Sequence, residues 1–406
     1  MLKRNSLKKL FEPKNIAIIG ASDNQKKVGG IIFQKILKSD SKPIPVNPTH
    51  NYIEGYKCYH SVLEFSKKID LAIIATPAKF VLNAVEECCR KKIKNLIIIS
   101  SGFSEIGNKT LEKKILDLTK KEKINLLGPN CFGIVNTKIN LDTTFARSSP
   151  KRGHTAFVSQ SGALWSYIAD LEKIGISKFI SLGNMAGLTF AETIEYLNKD
   201  KDTKKIVLYV ESLKKGREFI EACRNSKKEI VVVKSGRTKK GKEATMSHTG
   251  SLATNFKIYK SAFKQAKINV AFSLAEAFGL KKEELILDPK EKYMILTNAG
   301  GGGALLSDYL EEKNLQLIQQ PIDILGTATA QDYGKYLDKL FDKKNFSTLL
   351  IILTPQSMAE PEETAYKIAQ FKRYKKVITL FLGDKSVSNA KTILEKYGIP
   401  VFTQCL

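Results

Sequence analysis

Histidine, cysteine and tryptophan are scarce in this chain, and each scarcity argues against a class of site. The 406 residues include four histidines, six cysteines and one tryptophan, and no two cysteines have the CxxC spacing. The cysteine pattern argues against a disulfide framework or a zinc site and suits a reducing compartment. No apolar run approaches the roughly 20 residues of a membrane span. The basic first ten residues lack a following apolar segment, so we expect a cytoplasmic protein without a membrane anchor.

Acidic residues are too few to balance the basic ones. Lysine and arginine total 66 against 41 acidic residues, which gives a formal net charge of +25. Such an excess can indicate nucleic-acid binding. Only eight of the basic residues are arginines, however, and no recognition module or Arg/aromatic cluster occurs. Because charge alone speaks to association rather than to function, we expect a lysine-rich surface, which would also suit an anionic substrate, and no nucleic-acid partner.

One pattern recurs along the chain: a short apolar run, a small or polar turn, and then an amphipathic stretch. Continuous apolar runs of this kind are typical of parallel strands buried on both faces. Strands that alternate with helices predict doubly wound α/β sheets. The runs occur at residues 15–20, 44–48, 70–75, 95–100 and 124–128, then at 155–158, 178–182, 206–210 and 230–233, and finally at 293–296, 349–353, 377–381 and 399–402.

Two polar segments, at residues 140–153 and 281–291, separate the three groups of predicted strands. They are rich in serine, proline and charged side chains, as segments that join domains commonly are. The sequence therefore predicts three α/β domains, residues 1–145, 146–285 and 286–406. Each is long enough to bury a core of its own.

Ligands of doubly wound sheets bind beyond the carboxyl ends of the strands, so the residues at those ends are candidates for a site. In the first domain they are small or polar, and glycines there let backbone N–H groups approach a phosphate. Each segment alone is also typical of an ordinary turn, and no complete GxGxxG is present. Together they predict one rim suited to a long, phosphate-bearing ligand. The rim comprises Gly20, Ala21, Ser22, Asp23, Ala75, Thr76, Pro77, Ser100, Ser101, Gly102 and Asn130.

The second domain has a similar candidate at residues 159–162, where Ser-Gln-Ser-Gly follows a predicted strand and precedes a helix-like segment. Hydroxyls and free N–H groups at a helix start form an anion site. Serine also favours the N-cap position of any helix, so a plain cap is the alternative.

His248 lies in a polar, glycine-containing segment, residues 236–250, which the sequence predicts to be a loop. A lone histidine in a loop is commonly just a solvated side chain. Its small neighbours leave the imidazole sterically open, however, as a covalent carrier requires. Glu211 ends a predicted strand of the same domain and is the carboxylate we expect to orient that imidazole.

These motifs, in this order, resemble those of the NDP-forming acyl-CoA synthetase family, in particular the alpha subunits of ADP-forming acetate–CoA ligases, in the superfamily that includes succinyl-CoA synthetase. The resemblance covers nearly the whole chain. The segments that carry it are residues 11–14, 20–22, 45–48, 70–73, 101–105, 128–131, 159–163, 181–184, 234–237, 247–250, 298–301 and 321–325.

The resemblance implies a Rossmann-like CoA-binding domain followed by two flavodoxin-like domains, the third of them shortened. It implies interconversion of acyl-CoA, ADP and phosphate with a free acid such as acetate, ATP and CoA. The reaction would pass through an acyl phosphate and a phosphohistidine at His248, with Glu211 orienting the ring. The implied phosphate-binding residues are Ser159, Gln160, Ser161, Gly162, Thr249 and Gly250, and the implied CoA-binding residues are those of the rim with Lys26, Val46, Asn47 and Pro48.

The resemblance also implies a partner. Fused relatives carry an ATP-grasp domain on the same polypeptide, and no such segment accompanies the three domains here. We therefore expect a separate ATP-grasp beta subunit that supplies the ADP/ATP and Mg²⁺ sites, in an α2β2 assembly. Coenzyme A, the acyl-CoA or carboxylic acid, and phosphate are the implied ligands, and no metal site is expected on this chain.

The sequence departs from the family pattern at three places. Thr254-Asn255 stands where relatives have Gly-Ser or similar, and Met185-Ala186-Gly187 lacks an acidic residue often found there. The third domain runs from Leu315 almost directly into Pro321, where relatives have a longer helical stretch. These differences affect the expected packing of the third domain more than the chemistry.

Two alternatives remain open. A succinyl-CoA synthetase alpha-like enzyme would end after two domains, so residues 291–406 argue against it. A CoA-binding sensor or scaffold without catalysis would be consistent with a shortened third domain. The presence of His248, Glu211 and Ser161-Gly162 argues against that second alternative.

Overall fold

The computed structural model describes residues 5–249 and 255–406; the side chains of residues 5, 6, 247–249 and 341 lie outside the described part. Three largely parallel sheets accompany helices along the chain, which confirms the predicted α/β class. Within these ranges, no helix is both long and apolar enough to cross a bilayer.

The first sheet has five parallel strands. Its strand residues alternate between two cores on opposite faces: Ile16 and Ile18 pack with one cluster, and Ala17 and Ile19 with another. The elements of this part are α1 (Asn5–Phe11), β1 (Asn15–Ile19), α2 (Val28–Leu37), β2 (Lys42–Val46), β3 (Tyr52–Ile53), β4 (Tyr56–Lys57), β5 (Leu71–Ile74), α3 (Ala78–Arg90), β6 (Asn95–Ile98), α4 (Lys109–Lys121) and β7 (Asn125–Leu127). The order β2-β1-β5-β6-β7 reverses direction between β1 and β5, which is where such sheets bind ligands.

The second sheet has seven strands in the order β14-β13-β12-β10-β11-β8-β9, of which β8 is antiparallel to β11 and β9 antiparallel to β8. Its elements are β8 (Ile134–Asn136), β9 (Leu141–Asp142), β10 (Lys151–Ser159), α5 (Ala163–Asp170), β11 (Gly175–Ser181), α6 (Phe190–Lys199), β12 (Lys205–Val210), α7 (Gly216–Arg224), β13 (Glu229–Lys234), α8 (Lys239–Thr249), α9 (Phe256–Ala266), β14 (Asn269–Ala271) and α10 (Leu274–Ala277).

Strands β8 and β9 precede the predicted boundary at residue 145 but pair with the second sheet. They are short and contain buried polar residues, Asn136 and Asp142, so no apolar run predicts them. Asn136 donates a side-chain hydrogen bond of 2.9 Å to the carbonyl of Phe11, which ties this extension back to the first sheet. The division into residues 1–145, 146–285 and 286–406 stays a prediction.

The third sheet has six parallel strands in the order β16-β15-β18-β19-β20, with β17 also paired to β15. Its elements are β15 (Lys292–Thr297), α11 (Gly300–Glu312), β16 (Gln316–Leu317), β17 (Ile322–Asp323), α12 (Ala330–Phe341), β18 (Thr348–Leu353), α13 (Pro361–Phe371), β19 (Lys376–Phe381), α14 (Ser388–Lys396) and β20 (Val401–Phe402). The short segment between Leu315 and Pro321 thus contains β16 and leads into β17. Both of these strands pair with β15, so the short connection does not interrupt the sheet.

Helix α8 contradicts the predicted loop over residues 236–250, because the backbone is helical from Lys239 to Thr249. Glycine, serine and threonine give this segment low helix propensity. Its first turn is instead stabilised by tertiary contacts: the backbone N–H groups of Thr238 and Lys240 donate to Asp308 and Glu311 of α11. The expectation of a loop around His248 is therefore wrong for the backbone. The low propensity does not prevent a helix here, because most helix stability in proteins comes from such tertiary contacts.

Shared hydrophobic clusters join the sheets. One cluster contains side chains of the first and second sheets, and another contains side chains of the second and third. A buried carboxylate strengthens the contact between the second and third sheets. Asp170, at the end of α5, accepts hydrogen bonds from the N–H groups of Asp384 (2.8 Å) and Ser386 (3.0 Å). The third sheet is therefore packed firmly against the second.

A buried ion pair in the second sheet gives a first test. Lys178 Nζ lies 2.6 Å from Asp200 Oδ2, and the two side chains are 1% and 7% exposed. The Asp200→Asn variant leaves the lysine charge buried without a counter-ion, which costs about 3–5 kcal/mol. We expect a clear fall in the melting temperature measured by circular dichroism.

The matched control is Glu229→Gln, which removes the partly exposed pair between Lys205 and Glu229 (3.2 Å) at an expected cost of about 0–1 kcal/mol. Burial acts to raise the pKa of Asp200, but hydrogen bonds from Lys178 and Thr203 outweigh it and keep that pKa below its ordinary value. The contribution of Asp200 to stability is thus lost as the pH falls through the lowered pKa. Equal destabilisation by both substitutions would show that burial gives the Lys178–Asp200 pair no special importance for stability.

Candidate functional site

The carboxyl ends of strands from all three sheets border one cavity of about 690 Å³. Residues that follow β5, β6 and β7 form one side, those that follow β10 form a second, and those that follow β15 and β17 form a third. Parallel strands end at one edge of a sheet, and the shared clusters bring the three edges together. The cavity is the concave, mixed polar and apolar kind of site that binds small molecules.

Nine of the predicted site residues line this cavity. They are Ala75, Thr76, Pro77, Ser100, Ser101, Asn130, Gln160, Ser161 and Gly162. Among the described residues, the predicted ones that lie away from its wall are Gly20, Ala21, Ser22, Asp23, Lys26, Val46, Asn47, Pro48, Gly102, Ser159 and Glu211. Gly250 and the side chains of His248 and Thr249 lie outside the described part of the chain.

The loop after β1 forms a hydrogen-bonded unit beside the cavity. The Asn47 side-chain amide donates to the carbonyl of Ala21 at 2.8 Å, and the N–H of Gly20 donates to the carbonyl of Val46 at 2.9 Å. A Cβ at Gly29 would lie 1.9 Å from the carbonyl oxygen of Gly20, so only glycine lets the start of α2 pack against this loop. Gly20, Ala21, Val46 and Asn47 thus belong to one unit that packs against the start of α2, whose first residue, Val28, lines the cavity.

The turn after β10 is fixed from both sides. Ser159 is buried, and its hydroxyl donates to the carbonyl of Ser161 at 2.6 Å, so it shapes the turn and does not face the cavity. Gln160 Oε1 accepts hydrogen bonds from the backbone N–H groups of Glu211 (2.8 Å) and Ser212 (2.9 Å). Gln160 thus links the end of β10 to the residues that follow β12.

Glu211 lies in a buried, charged environment at the end of β12 and is 5% exposed. Its carbonyl accepts a hydrogen bond of 2.9 Å from Lys234 Nζ. Burial lowers the pKa of Lys234 to about 8, although the charges of Asp308 and Glu211 oppose the fall. Burial and the charge of Glu211 both raise the pKa of Tyr209. The pKa values of ionisable side chains near Glu211 are therefore strongly shifted, as is common at functional sites.

The third sheet contributes a part of the wall to which sequence analysis assigned no role. Its cavity-lining residues are Asn298, Gly300, Pro321, Asp323, Leu325, Gly326 and Thr327. The signal was present, because small and polar residues follow the predicted strand at 293–296 as they follow the strands of the first domain. Tertiary packing alone decides that this third edge meets the other two.

The start of α11 lies close to the turn that precedes α5. A Cβ at Gly301 would lie 2.6 Å from Ser161 Oγ and 2.9 Å from the hydroxyl oxygen of Tyr209, so glycine is required where α11 begins. Residues at the starts of α2, α5 and α11 line the cavity, namely Val28, Ala163 and Gly300. Free N–H groups and the helix dipoles give these ends a partial positive charge that favours anions.

The described wall contains no lysine or arginine, so backbone N–H groups are its main source of positive potential. The wall has two carboxylates, Glu105 and Asp323. Glu105 accepts hydrogen bonds from the N–H groups of Gly102 (2.5 Å) and Phe103 (3.1 Å). No group of three or more histidine, cysteine or acidic side chains among the described residues is placed to hold a metal ion. The arrangement suits a phosphate or a carboxylate held by main-chain donors.

Helix α8 reaches the same cavity. Ala244 in its middle lines the wall. The backbone at His248 lies one helical turn further on, and positions four residues apart share a helix face. The backbone at position 248 is therefore about one helical turn from a residue of the cavity wall. The distance between His248 and Glu211 involves a side chain outside the described part, so the pairing of the two stays a prediction.

Comparisons with known proteins agree with this architecture. A family model for a CoA binding domain matches residues 14–137, and one for a succinyl-CoA ligase like flavodoxin domain matches residues 152–282. The alpha subunit of ADP-forming acetate–CoA ligase II from Pyrococcus furiosus is 37% identical, over 97% of this chain and 93% of that protein.

The ADP-forming acetate–CoA ligase of Methanocaldococcus jannaschii is 41% identical over 98% of this chain, which spans 61% of that longer protein. A solved structure of acetyl-coenzyme A synthetase 1 from Candidatus Korarchaeum cryptofilum, in complex with phosphate and ADP, has a TM-score of 0.65 and 31% identity. The match covers 98% of this chain and 94% of that chain. The resemblance in the sequence motifs is thus confirmed, and the chain belongs to the family of ADP-forming acetate–CoA ligase alpha subunits.

Proposed function

We propose that this chain is the CoA-binding and phosphohistidine-carrying alpha subunit of an NDP-forming acyl-CoA synthetase. It interconverts acyl-CoA, ADP and phosphate with a free acid, acetate or a similar acid, ATP and CoA. The observation that carries the proposal is the single cavity at which the predicted CoA rim, two helix starts from other sheets and helix α8 meet. Family membership supports the same assignment.

In the first step, phosphate attacks the thioester carbonyl carbon of the bound acyl-CoA. A C–O bond forms, the C–S bond breaks, and CoA leaves as the thiolate. Negative charge accumulates on the carbonyl oxygen and on the phosphate oxygens. The starts of α5 and α11, at Gly162 and Gly300, aim main-chain N–H groups at this region, and such preorganised donors stabilise charge that develops in the transition state.

In the second step, a ring nitrogen of neutral His248 attacks the phosphorus of the acyl phosphate. An N–P bond forms, the bond to the acyl oxygen breaks, and the carboxylate leaves. Glu211 compensates the positive charge of the phosphorylated imidazole and orients the ring. Transfer of the phosphoryl group to ADP then restores His248. A covalent carrier of this kind divides one difficult exchange into easier in-line transfers.

Coenzyme A is held by the first sheet in this proposal. The loop of residues 20–26, with Asn47, borders the cavity through α2, and the rim from Ala75 to Asn130 forms its wall. Polar hydroxyls and exposed main-chain N–H groups suit the phosphates and the amide-rich arm of the ligand. The inward-facing part of the cavity then receives the thioester, next to Ser161 and Gly162.

The nucleotide and Mg²⁺ sites are assigned to a separate ATP-grasp beta subunit in an α2β2 assembly. Two relatives that match this chain over more than nine tenths of their length are named as alpha subunits. A single-chain relative is considerably longer than this chain. All six cysteines are free thiols, which supports the proposed cytoplasmic location.

The two alternatives can now be weighed against the cavity. A two-domain enzyme of the succinyl-CoA synthetase alpha type does not include a third sheet on the same chain, whereas here that sheet supplies part of the wall. A scaffold that only binds CoA does not need Glu211 and Lys234 buried together behind the anion site. Both observations support the catalytic proposal with acetate or a related acid.

The chain alone is expected to bind CoA but not to make ATP. Isothermal titration calorimetry of the purified chain should detect CoA binding, and a luciferase assay with acetyl-CoA, phosphate and ADP should detect no ATP. Adding the beta subunit should restore ATP formation, because it supplies the nucleotide site. Robust ATP formation by the lone chain would argue against the division of sites.

The His248→Asn variant is expected to abolish turnover in the assembly with the beta subunit. Loss of a covalent nucleophile lowers kcat by roughly 10³-fold or more. The control is His154→Asn, since His154 is exposed on β10 and the described hydrogen bond of its side chain is to the carbonyl of Asp202, at 2.9 Å. Retained turnover in His248→Asn would rule out the phosphohistidine and support the non-catalytic alternative.

The Gln160→Leu variant tests the link between the anion site and Glu211. It leaves the N–H groups of Glu211 and Ser212 without their acceptor, and each such buried donor costs about 1–3 kcal/mol. We expect a lower melting temperature and slower phosphoryl transfer. The control Gln265→Leu makes the same change on the exposed face of α9 and should alter stability by less than about 0.5 kcal/mol. Similar effects of the two variants would exclude a special role for Gln160.

A further inference from the structure

Helix α11 of the third sheet joins the cavity to the helix that carries His248. Its first residue, Gly300, lines the cavity. Eight residues later, Asp308 is fully buried against the start of α8. One rigid helix therefore contacts both the anion site and the base of α8.

Asp308 accepts several hydrogen bonds from the segment that begins α8. Its Oδ2 accepts from the N–H of Gly236 at 2.8 Å, and its Oδ1 accepts from the N–H and the hydroxyl of Thr238 at 2.8 and 2.9 Å. Arg237 Nη1 lies 3.7 Å from the carboxylate. Thr238 Oγ1 in turn accepts a hydrogen bond of 3.0 Å from the N–H of Gly241 in the first turn of α8. Thr238 is therefore the N-cap of α8, and Asp308 fixes that cap residue from a different sheet.

Two further acidic residues of α11 extend this contact. Glu311 accepts a hydrogen bond from the N–H of Lys240 at 2.6 Å, and Glu312 forms a paired contact with Arg237 at 2.8 and 3.0 Å. Positions 308, 311 and 312 share one face of the helix. The acidic side chains on that face therefore accept hydrogen bonds from both backbone and side-chain groups of residues 236–240.

The fit between the two helices depends on one glycine. A Cβ at Gly241 would lie 1.9 Å from Asp308 Oδ1 and 2.5 Å from its Cγ. No real Cβ approaches another atom so closely, so any other residue at position 241 would push the carboxylate away from the helix start. Substitution of either Gly241 or Asp308 would therefore disturb the same contact.

We propose that Asp308 is a positioning residue for the phosphohistidine step, which fixes the start of α8 so that the helix places position 248 at the cavity. The inference rests on the proposed role of His248. At a rise of 1.5 Å per residue, position 248 lies roughly 13 Å beyond Lys239. A tilt of about 10° at the cap would displace position 248 by roughly 2 Å. In-line transfer is sensitive to misplacement of about 1 Å, which can lower the rate roughly 10²-fold.

The test compares Asp308→Asn and Gly241→Ala with two matched controls. Asp170→Asn alters another buried carboxylate between the second and third sheets, which accepts N–H groups of residues 384 and 386 and does not contact α8. Gly216→Ala adds a methyl group at the start of α7, where a Cβ would meet nothing within 4 Å. All four variants are assayed in the assembly with the beta subunit.

Three measurements are made on each variant: the rate of His248 phosphorylation from ATP, the dissociation constant for CoA, and hydrogen–deuterium exchange of residues 239–249. We expect Asp308→Asn and Gly241→Ala to slow phosphorylation roughly 10- to 100-fold. Exchange in α8 should accelerate in both, while CoA affinity stays within about twofold. Asp170→Asn should lower the melting temperature without these effects, and Gly216→Ala should resemble the wild type.

The outcomes separate the two proposals. Wild-type phosphorylation at His248 together with an unaffected Asp308→Asn variant would overturn the positioning role and leave the proposed function intact. Equal loss of phosphorylation in Asp170→Asn would also overturn the positioning role of Asp308. Any weakening of the contact between the second and third sheets would then be enough to slow phosphorylation. If Asp308→Asn does not fold, Gly241→Ala decides by the same criteria. Failure of the wild-type assembly to phosphorylate His248 would overturn the proposed function itself.

Discussion

Burial of apolar surface between neighbouring sheets is the constraint on which the site depends. Each parallel sheet presents its strand ends along one edge, and alone these edges would be three separate rims. A continuous hydrophobic cluster joins the first sheet to the second, and another joins the second to the third. Because side chains of two sheets fill each cluster, the three edges have one relative placement. The cavity is the consequence of that placement.

Main-chain groups, and not basic side chains, would have to hold an anion in the cavity. The chain has a formal net charge of +25, yet no lysine or arginine occurs in the described wall. The starts of α2, α5 and α11 supply main-chain N–H groups instead. Glycine at positions 29 and 301 permits the close approaches that bring these helix starts to the site. A fixed set of donors of this kind needs little reorganisation when charge moves during phosphoryl transfer.

The buried charges are concentrated behind the anion site. Lys234 Nζ donates to the carbonyl of Glu211, and Arg237 Nη1 donates to the carbonyl of Lys234 and lies 3.7 Å from the carboxylate of Asp308. Arg237 and Glu312 extend this group towards the third sheet. The third sheet is thus part of the candidate site, since its residues line the cavity. Its short connection between Leu315 and Pro321 contains one edge strand and leads into another, which keeps that sheet continuous.

Several elements could be predicted from the sequence because local pattern determines them. The apolar runs predicted the central strands of all three sheets, since a strand buried on both faces has no polar position to interrupt it. Strands β8 and β9 were missed because they are short and carry buried Asn136 and Asp142. Helix α8 was predicted as a loop because its propensity is low, and the side chains that hold its start, Asp308 and Glu311, are about 70 residues away in the chain.

The sequence by itself determined the α/β class, the family and the residue types at the strand ends, because these follow from periodicity and from motifs within a few residues. Only the tertiary structure decided which strand ends face each other. It brought residues after β15 and β17 to the wall, kept Ser159 away from it, and made a helix of the segment before Gly250. The physical reason is that contacts between sheets are set by packing over long sequence separations, which no local pattern encodes.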